Sequence, residues 1–303
     1  MTALRIKLFN AYTKWEYVKQ FNFGPASTIT VMLQTETVNV FPSDTALIRT
    51  KIAQGITTIP STSSTTYSGF PAIDYLLYGK ILTDQQIVDS FIVAPAAAKR
   101  CTYLKAVSAS LKSKINTTYL NWTANGTNFV NLYRNNTGID LGSSTSQTIN
   151  MMVADIENCK NFKLGIPLNY AHNVVIDATV ANPFKRKSYH SDSSLVLMKA
   201  SIESLRLLYM GISPQGINGQ GFDDYLEAIG RTALSVQIKN EIELVQTKLD
   251  VIGDSISVGV QNPAGKQKVL DSYIETQNLL TLLKVDFASA VGVIISYGDT
   301  DGD

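Results

Sequence analysis

The 303-residue chain is short of the residues that most often carry metal or thiol chemistry, with two cysteines and two histidines in all. Cys101 and Cys159 cannot make a disulfide framework. Two free buried thiols are the simpler reading, and a single bridge stays open. His172 and His190 fall in or near a central connector, and neither has a second histidine at ligand spacing. No run approaches the ~20 apolar residues of a membrane span, and the N-terminus has no apolar signal core. Charge of one sign is missing too. Lysine and arginine number 26 against 25 aspartate and glutamate, so no broad field exists to attract nucleic acid or an anionic membrane. The densest basic run, Lys185-Arg186-Lys187, reads as a solvated loop. There is no Gly-x-Ser-x-Gly elbow and no phosphate loop.

What the chain does have is apolar residues at helical spacing. Hydrophobic residues make up 45% of it and charged residues 17%, which is globular and enough for a large core. Leu8, Tyr12, Trp15 and Val18 predict an amphipathic helix over 4–19, ended by Gly24-Pro25. Pro42-Ser43-Asp44 supplies cap chemistry for a helix to about Ala53. A long helix is expected from Pro95 to about Trp122, through Leu104, Val107, Leu111, Ile115 and Tyr119. Further helices are expected over 148–163, 192–209, 222–229, 233–252 and 267–291, with 164–183 as a connector broken by glycine and proline. "TITVML" near residue 30 and "NVVIDATV" near 175 are the only strand signals. The fold class is therefore all-α, with two helical-bundle domains over 1–165 and 166–303 and at most a minor hairpin.

Two short segments look alike. "GFPAIDYLLYG" from Gly69 and "GFDDYLEAIG" from Gly221 each join Gly-Phe to an acidic residue, Tyr-Leu and a closing glycine. With the similar helix order around them, they raise an internal duplication. Two packed bundles would leave a crevice, where ligand sites tend to form.

Seven blocks in order give the chain a resemblance to the imelysin-like family, also called insulin-cleaving membrane peptidase-like. They are "WEYVKQFNFGP" from Trp15, "NVFPSDTALIRTKI" from Asn39, the segment from Gly69, "KLGIPL" from Lys163, "YHSDSSLVLMKASIESLRLLYMG" from Tyr189, "GFDDYL" from Gly221 and "GVIISYGDTDGD" from Gly292. The family usually has one more helix ahead of the first block, and a truncated or mature chain would lack it. The resemblance implies a duplicated helical bundle, export to the periplasm or outer-membrane surface of a bacterium, often as a lipoprotein, and a link to iron uptake. It also implies a Gly-x-His-x-x-Glu motif as a metal or active site where the domains meet.

At that motif the sequence departs from the family. Gly69 matches the glycine, but Pro71 stands in the histidine position and Asp74 in the glutamate position. Proline has no side-chain donor or acceptor and can neither ligate a metal nor move a proton. It does suit the first turn of a helix, where an N–H has no partner anyway. Asp74 near that end favours the helix dipole. The residues read as a family motif silenced or repurposed, hence as a non-enzyme. The expected function is an exported binding protein for iron or another divalent metal, haem or a small ligand. A structural module for a cell-envelope partner and, less favoured, a metallopeptidase remain open. Candidate ligand-binding residues are Gly69, Pro71, Asp74, Tyr78, Tyr189, Ser191, Asp223 and Asp224. No cofactor is certain, no nucleic acid is expected, and membrane attachment would run only through a lipid anchor outside this chain. The final "GDTDGD" lacks the glycine and glutamate positions of a calcium hand and reads as an acidic tail.

Overall fold

A computed structural model describes residues 1–28, 38–40, 42–60, 65–79, 82–170, 192–253 and 255–296. These residues are helical with no strand among them, apart from an isolated bridge between Ile212 and Asn218. The segments near 30 and 175 that carry strand signals, both histidines, the Lys185–Lys187 run, Tyr189, Ser191 and the acidic tail lie outside the described residues.

In chain order the helices are α1 (Thr2–Val18), α2 (Thr45–Gln54), α3 (Gly69–Tyr78), α4 (Asp84–Ile92), α5 (Ala97–Trp122), α6 (Phe129–Asn135), α7 (Ser144–Asn158) and α8 (Ile166–Leu168). Then come α9 (Ser194–Tyr209), α10 (Phe222–Ala228), α11 (Thr232–Asp250), α12 (Ile256–Gly259), α13 (Pro263–Thr281) and α14 (Ala288–Val291). A short 3₁₀ turn, Gly24–Thr28, follows the first glycine-proline break. Local chemistry explains several ends. Asp44 caps α2 by accepting from the Leu47 N–H, and Gly55 closes it in the left-handed region at φ 71°. Thr83 and Gln86 form a reciprocal capping box that starts α4.

Two π-helical turns interrupt the second half. Cys159–Gly165 joins α7 to α8, and Leu282–Phe287 joins α13 to α14. The first corrects the expectation of a loop from residue 164, because the helix continues to Leu168. Pro167 has no N–H to give, and the wider turn before it relieves the register that a regular helix would impose on a proline.

The chain forms two compact units. One is built on Met1–Tyr12 and Asn22–Leu132; the other includes Thr13–Phe21 and the described residues from Tyr133 onward, so α7 groups with the later helices. In the first unit α3 and α4 pack on α5, and Phe70, Leu76, Leu77, Ile87, Tyr103 and Val107 are buried. In the second, α11 packs on α9, α10 and α13, with Ile238, Ile242, Val245, Val269, Leu283 and Phe287 in its core. Cys101 and Cys159 are both free thiols, the first half-buried and the second buried.

Candidate functional site

The motif segment forms α3, and its glycine has a structural cause. Gly69 sits at φ +73°, and a Cβ there would lie 2.2 Å from the Val38 carbonyl oxygen. That carbonyl accepts the Phe70 N–H at 2.8 Å. It thereby satisfies one of the donors that a helix start leaves open. Only a residue without a Cβ permits this approach. Tyr12 of α1 stacks on Phe70 with ring centroids 4.5 Å apart and planes 13° from parallel, and its hydroxyl donates to Asn39 Oδ1. Two of the sequence blocks, those from Asn39 and Gly69, therefore meet beside Tyr12 of α1 at the first turn of α3.

The far end of α3 is held by two cations. Arg5 Nε donates to the Leu77 carbonyl at 2.9 Å and Arg100 Nη2 to that of Leu76 at 2.8 Å. Both guanidiniums meet the negative end of the helix dipole and carbonyls that lack helical partners. Arg100 also lies over the Phe91 ring at 4.8 Å, and Arg5 over Tyr78 at 4.5 Å. Burial, with the neighbouring Asp74 charge, raises the pKa of the Tyr78 hydroxyl.

α3 thus carries Gly69, Pro71, Asp74 and Tyr78 on ten residues. Pro71 is buried, Asp74 is 1% exposed and Tyr78 is half-buried. A metal held as the resemblance implies needs donors at the third and sixth motif positions. Pro71 offers none, and the one remaining carboxylate is inside the fold. Among the described residues no three His, Cys, Asp or Glu side chains converge as a metal site. The α3 residues do not fit the family's two-residue metal motif.

Asp223 and Asp224 lie in the first turn of α10 in the second unit. Asp224 Oδ2 accepts the Gly221 N–H at 2.9 Å and serves as a helix cap. Asp223 faces Lys239, with Oδ2 3.5 Å from Nζ. Gly221 has extended backbone at φ −108°, unlike the left-handed Gly69, so the two look-alike segments enter their helices differently.

Sequence reasoning missed the most charged site. In the second unit, Lys163 Nζ donates to Glu16 Oε2 at 2.6 Å and to Ser201 Oγ at 2.9 Å, and the Ser201 hydroxyl donates to the same Glu16 oxygen at 2.6 Å. Lys19 pairs with Glu16 at 2.9 Å and with Asp155 at 2.7 Å, and its Nζ lies 3.2 Å from Cys159 Sγ. Two ammoniums and two carboxylates balance. Glu16 is 1% and Lys163 3% exposed. Burial raises the Glu16 carboxyl, but Lys163 and Lys19, with the two hydrogen bonds, outweigh it and hold its pKa at about 2. Burial lowers Lys163, and the Lys19 charge adds to that. Burial also opposes the charge on Lys19, yet Asp155, Cys159 and Glu16 together raise it well above the ordinary lysine value. A serine beside a buried lysine has the composition of a hydrolytic dyad, but Ser201 is 0% exposed and its hydroxyl is committed to Glu16. Chemically the cluster is a closed, satisfied ion network. Its signals were a Glu-x-x-Lys pair inside the first block and a lysine opening "KLGIPL". Lys163 lies within the π turn, on its buried side.

The imelysin family model matches residues 1–283. The chain belongs to the imelysin family. Its fold is similar to that of an imelysin-like protein from Psychrobacter arcticum 273-4, with a TM-score of 0.69 and 16% identity over 98% of this chain and 83% of that one. It is also similar to a protein described as an iron-regulated protein A precursor from Parabacteroides distasonis ATCC 8503, with a TM-score of 0.64 and 16% identity over 91% and 80% of the two chains. No curated protein sequence matched. The all-α imelysin fold is therefore established for this chain. Among the described residues no helix is long and apolar enough to cross a membrane.

Proposed function

We propose that this imelysin family member is a non-catalytic binding protein of the bacterial cell envelope, exported and serving the acquisition of iron, haem or a related ligand. The observation that carries the reading is Pro71. It occupies the histidine position of the motif on a buried helix turn, while the glycine, the helix and its supports at both ends are kept. Retaining the scaffold while removing the group that would activate water fits capture better than hydrolysis. The similarity to an iron-regulated precursor supports export and the iron connection. Calorimetric titration of the purified chain with ferric, ferrous and zinc ions and with haem tests this, with saturable binding of at least one expected. No binding of any of the four would overturn the ligand class, and peptide cleavage abolished by a chelator would overturn the non-catalytic reading.

A further inference from the structure

The near-equal charge totals of the chain conceal a division between its two units. Met1–Tyr12 and Asn22–Leu132 hold ten lysines and arginines against five aspartates and glutamates. That leaves 16 of the chain's 26 cations and 20 of its 25 anions for the rest. Two helices show the division at their surfaces. α5 carries Lys99, Arg100, Lys105, Lys112 and Lys114 and no carboxylate in its 26 residues. Its exposed charges are Lys99, Lys105 and Lys112. Lys99 donates to the Ala53 carbonyl at 2.7 Å, whereas Lys105 and Lys112 have no ion-pair or hydrogen-bond partner among the described residues. α11 is the reverse. Its exposed charges are Glu243 and Asp250, and its lysines, Lys239 and Lys248, are half-buried.

Spacing makes the two faces complementary. Lys105 and Lys112 are seven residues apart, two helical turns, and so are Glu243 and Asp250. At 1.5 Å per residue, each pair is spaced about 10.5 Å along one face of its helix. A helix laid along the other in either direction therefore sets both lysines opposite both carboxylates. Between the charges α5 presents Ala109 and α11 presents Thr247, both exposed and small enough for the axes to approach to roughly 8–10 Å. Leu244 and Val236, 38% and 45% exposed, add apolar area on α11. Asp250 pairs with Lys199 at 2.8 Å, yet its side chain stays 71% exposed. The chain's net charge is only +1, so whole copies do not repel one another. Contacts of α5 with α5, or α11 with α11, would oppose like charges, which leaves the α5-to-α11 pairing as the favoured one.

We propose that this chain associates with a second copy of itself, the Lys105–Lys112 face of α5 in one copy docking on the Glu243–Asp250 face of α11 in the other. The contact is heterologous, a basic face against an acidic one. Exposed ion pairs contribute little singly, so the association is weak and salt-sensitive. It does not depend on the reading of α3 or on the ligand-binding role.

Sedimentation equilibrium of the full chain at about 20 mM and about 500 mM salt tests this, because the screening length shrinks from roughly 20 Å to roughly 4 Å. The average mass should exceed the 33.1 kDa monomer at low salt and return to it at high salt. Lys105→Glu with Lys112→Glu should weaken association at least about tenfold, and so should Glu243→Lys with Asp250→Lys. An equal mixture of the two reversed variants should associate again, since every basic face then meets an acidic one. All four side chains are exposed, and helical circular dichroism checks that each variant is folded. A wild type that stays monomeric at low salt overturns the proposal, whatever other acidic partner α5 meets. It also fails if either reversal leaves association unchanged, or if the mixture of folded variants stays monomeric.

Discussion

Replacing Glu16 with glutamine is the sharpest probe of the buried ion network. The substitution keeps the shape and removes the carboxylate that Lys163 and Lys19 share. Lys19 retains Asp155 at 2.7 Å, whereas Lys163 is left with Ser201 and the Leu197 carbonyl, both neutral. A buried ammonium without its counter-charge is the costly state, and breaking such a pair typically costs about 3–5 kcal/mol. The titration argument agrees. A carboxyl held at about 2 rather than 4.5 corresponds to roughly 3 kcal/mol of preferential stabilisation of its charged form. Glutamine can still accept one hydrogen bond from Lys163, so the lower end, about 3 kcal/mol, is expected. Urea denaturation at neutral pH, followed by helical circular dichroism, measures it. Adding Lys163→Met to Glu16→Gln removes the stranded charge and should recover more than half of the loss. A loss below about 1 kcal/mol for Glu16→Gln, or a double variant less stable than the single one, would refute the account of a closed and mutually dependent network.

Two further outcomes follow from the same geometry. Because the folded Glu16 pKa lies below its ordinary value, the stability it contributes is complete above about pH 4.5 and is lost as pH falls through the folded value of about 2. The gap between wild type and Glu16→Gln in urea midpoint should therefore close over that window, and a constant gap would contradict it. At the motif, Gly69→Ala combines a left-handed backbone with a Cβ 2.2 Å from the Val38 oxygen and should cost about 2–5 kcal/mol. Gly216→Ala is the control, with φ +80° and nothing within 4 Å, and strain alone should cost it only about 1–2 kcal/mol. Equal losses at the two glycines would show that the approach of Val38 does not constrain α3.

Much of the helical framework was legible as apolar spacing, because burial on one face of a helix imposes that spacing whatever the partner. α1, α2, α5, α9, α11 and α13 lie close to where periodicity and caps placed them. α4 was missed although Thr83-x-x-Gln86 is a capping-box signature, and the short α6 was not assigned. The stripes were less accurate than the helices. Val18 and Tyr119 are 52% and 63% exposed, while Glu16 of α1 and the Lys19 and Gln20 that follow it point inward. A polarity pattern assigns charged residues to solvent, and it fails where opposite charges from distant segments neutralise one another.

The sequence by itself determined that this is an all-helical imelysin family chain and that residue 71 can ligate nothing, since a proline side chain carries no donor or acceptor in any fold. Which charges are buried was decided by tertiary structure. Lys163, within the π turn, is an interior cation, and it is tolerated because Glu16, 147 positions away, arrives from α1. Each of these residues is ordinary in the sequence, and their pairing exists only once the chain has brought them together, because electrostatic energy depends on distance and burial rather than on order along the chain.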